Sequence, residues 1–176
     1  MNPALITDAY REQQMQLHAT GMYGRTGSKH GELVSQLLTK VDARSLLDYG
    51  CGSRCSLLET LRLPPGVVYE GYDPCVPEFA ADPLPAELVV CIDVLEHIEP
   101  DLLDNVLDHL ASLCEPYGYF TIHTGPAKKT LPDGRNAHLT QQPLAWWLPR
   151  LQQRFKVLDV VQHSRGIDVL VKRQEG

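Results

Sequence analysis

Two hydrophobic periods alternate along the chain. At 88–92 the run Leu-Val-Val-Cys-Ile has no polar interruption, the pattern of a strand covered on both faces of a parallel sheet. Beyond it, Leu102, Leu103, Val106, Leu107, Leu110 and Leu113 recur every three to four positions and predict an amphipathic helix, with Pro100 in its first turn. Leu33, Val34, Leu37, Leu38 and Val41 predict another helix in the same way. Short β-rich runs at 45–49, 67–72 and 119–123 read as further strands, the last following a turn at Pro116-Tyr117-Gly118. A short helix is expected at 56–61, stopped by Leu63-Pro64-Pro65-Gly66. A helix over 143–151 is shortened by Pro149. Runs at 155–161 and 167–171 flank Ser164-Arg165-Gly166 and predict a terminal antiparallel hairpin.

The first residues carry a weaker signal. Leu5, Ile6, Ala9, Tyr10 and Leu17 give a moderate one-face helix over 3–20, broken by the glycine-rich run 21–28. The chain therefore divides at sequence level into residues 1–29, a helix with a glycine-rich loop, and a main domain over 30–176. The leading segment reads in two ways. It is a pair of docking helices covering a sheet face, or a lid in which the loop and Tyr23 close over a ligand.

Strands alternating with helices predict an α/β fold: an open, mostly parallel, Rossmann-like sheet with helices on both faces. Right-handed crossovers bring the strand C-terminal tips to one edge, where such sheets bind ligands. Asp48, Gly50, Asp73, Asp93 and His123 all fall at those tips. The turn Asp48-Tyr49-Gly50-Cys51-Gly52 suits close backbone approach to a ligand, because glycine reaches positive φ. Asp73, at the tip of the next strand, is placed to accept hydrogen bonds from ribose hydroxyls.

Composition narrows the partners. A net charge of -6 disfavours broad phosphate-backbone binding, although a local patch could still hold a nucleic acid. The five cysteines form no C-x-x-C pair, and no apolar run is long enough to span a membrane. These features predict a reduced, cytoplasmic protein with free thiols and no membrane association. The sequence does not reveal its oligomeric state.

The segments LLDYGCGS at 46–53, YEGYDP at 69–74 and LVVCIDVLEHI at 88–98, in this order, resemble the class I S-adenosylmethionine-dependent methyltransferases, and the stretch 123–147 is similar to small methyltransferase-like proteins of bacteria and phages. The resemblance implies S-adenosylmethionine as cofactor. It implies that Asp48, Tyr49, Gly50, Cys51 and Gly52 cradle its methionine part, that Asp73 with Pro74 holds the ribose, and that Asp93 and Val94 border it. Glu96 and His97 match the family's recurring LEH. Arg54 departs from the pattern, standing where a third glycine is usual. The interval 74–87 is too short for the usual helix and third strand, so that strand is expected to be reduced or missing. Asp82 is the acid within it that could reach the adenine amine.

Methyl transfer to an O–H or N–H needs a positioned acceptor and a group that takes its proton. His123 fits that base by position and ordinary pKa; His97 and Tyr23 are further catalytic candidates. Lys128, Arg135 and His138, in the polar loop 124–142, could grip an acidic or phosphorylated substrate. Trp147, beside Trp146, is a candidate wall for the acceptor. No metal is expected, because His123, His138 and His163 lack ligand spacing and nothing pairs with Cys51 and Cys55. The expected activity is methyl transfer to a small molecule. A non-catalytic cofactor-binding protein and a nucleotide or nucleic-acid methyltransferase are the alternatives.

Overall fold

The computed structural model describes residues 3–19 and 26–174; Tyr23 and most of the glycine-rich loop lie outside them. In chain order the elements are α1 (Asp8–Ala19), α2 (Gly31–Val41), β1 (Ser45–Tyr49), β2 (Val68–Tyr72), β3 (Ala86–Ile92), α3 (Leu103–Leu113), β4 (Cys114–His123), α4 (Leu144–Gln152), β5 (Phe155–Gln162) and β6 (Gly166–Arg173). Five short 3₁₀ segments connect them. They include Ser56–Glu59 after β1 and Leu95–His97 after β3.

The six strands form one sheet in the order β2-β1-β3-β4-β6-β5. The first four are parallel, and β6 runs antiparallel between β4 and β5. The predicted terminal hairpin is therefore present, with its second strand inserted into the sheet. Residues 73–85 contain only the 3₁₀ turn Pro77–Phe79, so β2 is an edge strand and the expected missing strand is absent.

Strand alternation sorts side chains to two faces, as a period of two requires. Leu47, Val89, Cys91, Phe120 and Ile122 pack with the inner stripe of α3 and with Trp147 and Leu151 of α4. Leu46, Leu88, Val90 and Tyr119 pack on the opposite face with Val34 and Leu38 of α2. Each fully buried leucine in these layers contributes about 1.5–3 kcal/mol of apolar transfer.

Three local expectations change. The Pro116-Tyr117-Gly118 turn is part of β4, which begins at Cys114. Register shifts there, with Ala86 opposite Cys114 and Leu88 opposite Tyr117, so an extra residue is accommodated around Pro116, which has no N–H to pair. The helix expected at 56–61 is only a 3₁₀ turn. Finally, α1 does not cover a sheet face: Tyr10 packs with Leu131 and Ala137 of the 124–142 loop, over the edge formed by the strand tips.

Candidate active site

One cavity of about 1000 Å³ opens at the C-terminal tips of β1 to β4. The β1 turn forms its floor. Gly50 sits at φ +83, and its N–H and that of Cys51 donate to the Tyr72 carbonyl at 2.7 and 3.1 Å. A Cβ on Gly50 would lie 2.4 Å from Cγ2 of Val94, so only glycine fits between the two strand tips. Gly52 has φ +65, and its N–H donates to Oδ2 of Asp73 at 3.0 Å. Oδ1 of Asp73 accepts the Cys75 N–H at 2.8 Å. Asp73 thus braces the turn, a role that the sequence expectation of a ribose acid does not reveal, and each oxygen retains accepting capacity.

Arg54 is exposed, and the positive φ after the two glycines, 44°, belongs to Cys55. The missing third glycine therefore imposes no left-handed conformation on Arg54. All five cysteines are buried free thiols.

Asp48 is 4% exposed and accepts the Tyr69 hydroxyl at 2.9 Å. Burial pushes its carboxyl up to about 7, the Tyr69 bond opposes the shift, and the charge of Asp73 adds to it. Tyr49 borders the cavity, yet its ring packs 4.9 Å from that of Tyr72 and its hydroxyl meets Nδ1 of His109 at 3.0 Å. Asp93 lies at φ +51 and accepts the Thr121 hydroxyl at 2.8 Å.

Three histidines gather at the other end. His123 and His138 ring centres are 4.8 Å apart, as are those of His97 and His138. Nδ1 of His97 lies 2.7 Å from the Ala137 carbonyl, and Nδ1 of His138 lies 2.6 Å from the Gly125 carbonyl. A carbonyl only accepts, so both rings carry their proton on Nδ1. Nδ1 of His123 is 3.2 Å from both the nitrogen and the carbonyl oxygen of Gly125. Burial, with His138 beside it, pushes His97 down to about 4, and burial also lowers His138. Glu96 lies behind these rings, fully buried, its carboxyl raised first by burial and then by the charge of Asp93.

The sequence candidates separate accordingly. Asp48, Gly50, Cys51, Gly52, Asp73 and Pro74 border the cavity together, as do Asp93, Val94, His97, His123, Lys128 and His138. Asp82 is exposed and does not line it. Arg135 is also outside the lining, bonded through Nε and a terminal nitrogen to Asp133 at 2.8 and 2.7 Å, so its charge is engaged locally. Trp147 is 0% exposed and belongs to the core between α4 and the sheet; it is no wall for a ligand.

Sequence reasoning missed the contribution of α1. Tyr10, Gln14 and His18 line the cavity. The segment is anchored by Thr7, whose N–H and hydroxyl donate to Glu99 at 2.9 and 2.8 Å, and by the Tyr10 hydroxyl, which donates to the His97 carbonyl at 2.6 Å. A weakly amphipathic helix carries no signal for such a docking. Ser164 and Arg165, at the hairpin tip, line the cavity as well.

Comparison with known proteins places this arrangement. The family described as "Methyltransferase domain" matches residues 23–164. No curated protein matches the chain in sequence. Among solved structures, 1,6-didemethyltoxoflavin-N1-methyltransferase of Burkholderia thailandensis, with bound 1,6-didemethyltoxoflavin and S-adenosylhomocysteine, superposes with a TM-score of 0.68 at 15% identity, covering 99% of this chain and 94% of that one. The N-methyltransferase NodS of Bradyrhizobium japonicum WM9, in complex with S-adenosylhomocysteine, gives 0.60 at 11% identity, over 93% of this chain and 100% of the other. Magnesium protoporphyrin IX methyltransferase of Synechocystis PCC 6803, with bound S-adenosylhomocysteine, gives 0.57 at 15% identity, over 98% and 90%. At these identities the structures share the fold. With the family match spanning most of its length, the chain belongs to the methyltransferase-domain family, within the class I S-adenosylmethionine-dependent methyltransferases.

Proposed function

We propose that this methyltransferase transfers the methyl group of S-adenosylmethionine to a small anionic molecule held beneath α1. The observation that carries the reading is a single cavity with the glycine turn at one end and the histidine group at the other. Its volume of about 1000 Å³ lies at the top of the range for one small-molecule site, which leaves room for cofactor and acceptor together.

The residues fit the cofactor. Gly50 and Gly52 bring bare backbone to the cavity floor, and a side chain at Gly50 would collide with Val94. Asp73 would hold the ribose hydroxyls with the lone pairs left over from Gly52 and Cys75, and Asp48 would face its charged methionine end. When bound, the cofactor supplies an electrophilic methyl carbon.

His123 would take the acceptor's proton. Its Nδ1 is equidistant from a donor and an acceptor of Gly125, so the ring holds either tautomer without moving. With Nδ1 donating to the carbonyl, Nε2 offers a lone pair. Lys128, Lys129 and Arg165 border the same cavity and favour an acceptor bearing carboxylate or phosphate. Small-molecule acceptors of the structural neighbours, 1,6-didemethyltoxoflavin among them, agree in class with this reading.

Calorimetric titration with S-adenosylhomocysteine, followed by its detection as product against a panel of carboxylated and phosphorylated metabolites, tests the proposal. Turnover with a member of the panel, lowered at least tenfold by His123→Asn, is expected. Cofactor binding without turnover on any metabolite would support a regulatory protein, and turnover confined to oligonucleotides would support the nucleic-acid reading; either overturns this one.

A further inference from the structure

Glu96 has no task in methyl transfer as described, yet it is fully buried beside His97 and His138, which line the cavity. Its Oε1 accepts the His123 N–H at 3.1 Å, which fixes the carboxyl plane. Its Oε2 is buried and has no hydrogen-bond partner among the described residues. Neither protonation state relieves this. An ionised Oε2 lacks a donor, and a protonated one lacks an acceptor.

One atom each from Glu96, His97 and His138 lies within 4.8 Å of the others. Both imidazoles have Nδ1 committed to backbone carbonyls, Ala137 for His97 and Gly125 for His138, which leaves Nε2 as the nitrogen with a lone pair. A ring held in this way through its other nitrogen is how metal-ligating histidines are oriented. The ligands come from the Leu95–His97 turn and from the 124–142 loop, so no spacing rule along the chain could join them.

We propose that Glu96, His97 and His138 bind a divalent transition-metal cation, and that its open positions carry an oxygen of the acceptor. Two imidazoles and a carboxylate suit zinc, iron(II), cobalt or manganese better than magnesium or calcium. Three protein ligands leave coordination open, the arrangement of a catalytic rather than a structural site. His97 and His138 line the cavity, so the open side faces it. Asp93, which also borders the cavity, adds negative charge three residues from Glu96.

The second half of the proposal rests on the methyltransferase reading. A hydroxyl bound to the cation loses its proton more readily, because the ion stabilises the oxyanion. The O–H bond breaks and the proton passes to His123. The oxygen then forms a bond to the methyl carbon as that carbon's bond to sulfur breaks, giving a methyl ether and S-adenosylhomocysteine. The acceptor atom is thereby assigned as oxygen.

Cobalt(II) serves as the probe, titrated into the whole chain without cofactor or acceptor and followed by visible absorption and calorimetry. One equivalent is expected, with affinity reduced at least tenfold in Glu96→Gln and in His138→Ala. Circular dichroism and the thermal midpoint report whether each variant folds, and either one suffices if the other does not. Absence of stoichiometric binding, or binding of wild-type strength in a folded variant, overturns the site. That titration is independent of methyl transfer, so its failure leaves the proposed function standing. Chelation is expected to lower turnover of a hydroxyl acceptor at least tenfold, with recovery on adding manganese or zinc; turnover unaffected by chelation overturns the catalytic role.

Discussion

Asp48 makes the stability of this fold depend on pH in an unusual direction. Its carboxyl is 4% exposed and is held at about 7, against an ordinary value of 3.8. In the unfolded chain it releases its proton near the ordinary value; in the folded chain it keeps the proton to near neutrality. Between those limits the native state binds more protons, so raising the pH destabilises it. A shift of about three units at about 1.4 kcal/mol each is worth about 4 kcal/mol of stability, fully present below about pH 4 and lost by about pH 7. His97, pushed down to about 4, acts oppositely in nearly the same window, because the unfolded state then binds the extra proton. Asp48 must therefore be isolated by difference. Asp48→Asn keeps the shape of the protonated acid and can still accept the Tyr69 hydroxyl. Denaturant unfolding of both proteins from pH 4 to pH 8 should show wild type losing about 4 kcal/mol relative to the variant as the pH rises. A difference that stays flat to within about 1 kcal/mol would refute the burial argument.

Other substitutions probe the rest of the site. Gly50→Ala places a Cβ 2.4 Å from Val94 at φ +83, and should cost at least about 1–3 kcal/mol of stability together with cofactor affinity; calorimetric titration near wild-type strength would contradict the cradle. Asp73→Ala should weaken S-adenosylhomocysteine binding by about 1–3 kcal/mol, read as the dissociation constant. Trp147→Ala should cost about 3–5 kcal/mol in denaturant unfolding, because the ring is core. Lys128→Ala should raise KM for an anionic acceptor while Arg135→Ala leaves it unchanged, and the reverse result would restore Arg135 to the site.

The layered fold was legible because its signals are local. The uninterrupted run at 88–92 and the leucine stripe of α3 each state their burial in a few residues. The beginning of β4 was not legible, because Pro116-Tyr117-Gly118 has turn chemistry and only pairing with Leu88 and Lys172 draws it into the sheet. The glycine-turn end of the cavity was readable from the β1 turn and Asp73, since strand tips converge by topology. At the histidine end, His97, His123 and His138 were legible singly, but their grouping was not. Glu96 and His138 come together through the path of the 124–142 loop, and Asp133 engages Arg135 through neighbours that no periodicity marks. That one of the adjacent tryptophans is core follows from helix geometry; the choice of Trp147 required the packing of α4.

The place of β6 bears on the order in which the protein can be made. Among the described residues β5 pairs only with β6, and β6 also closes the sheet against β4. During synthesis β5 leaves the ribosome before its sole neighbour, so the far side of the sheet stays open until residues 166–173 have emerged. The histidine end of the cavity is affected as well, since His123 pairs with Gly166 and the Arg165 carbonyl receives the Thr124 N–H at 2.9 Å. A nascent chain halted before that point would hold the glycine turn without the finished histidine end of the cavity, and would expose an unpaired β4 edge to chaperones or to other chains.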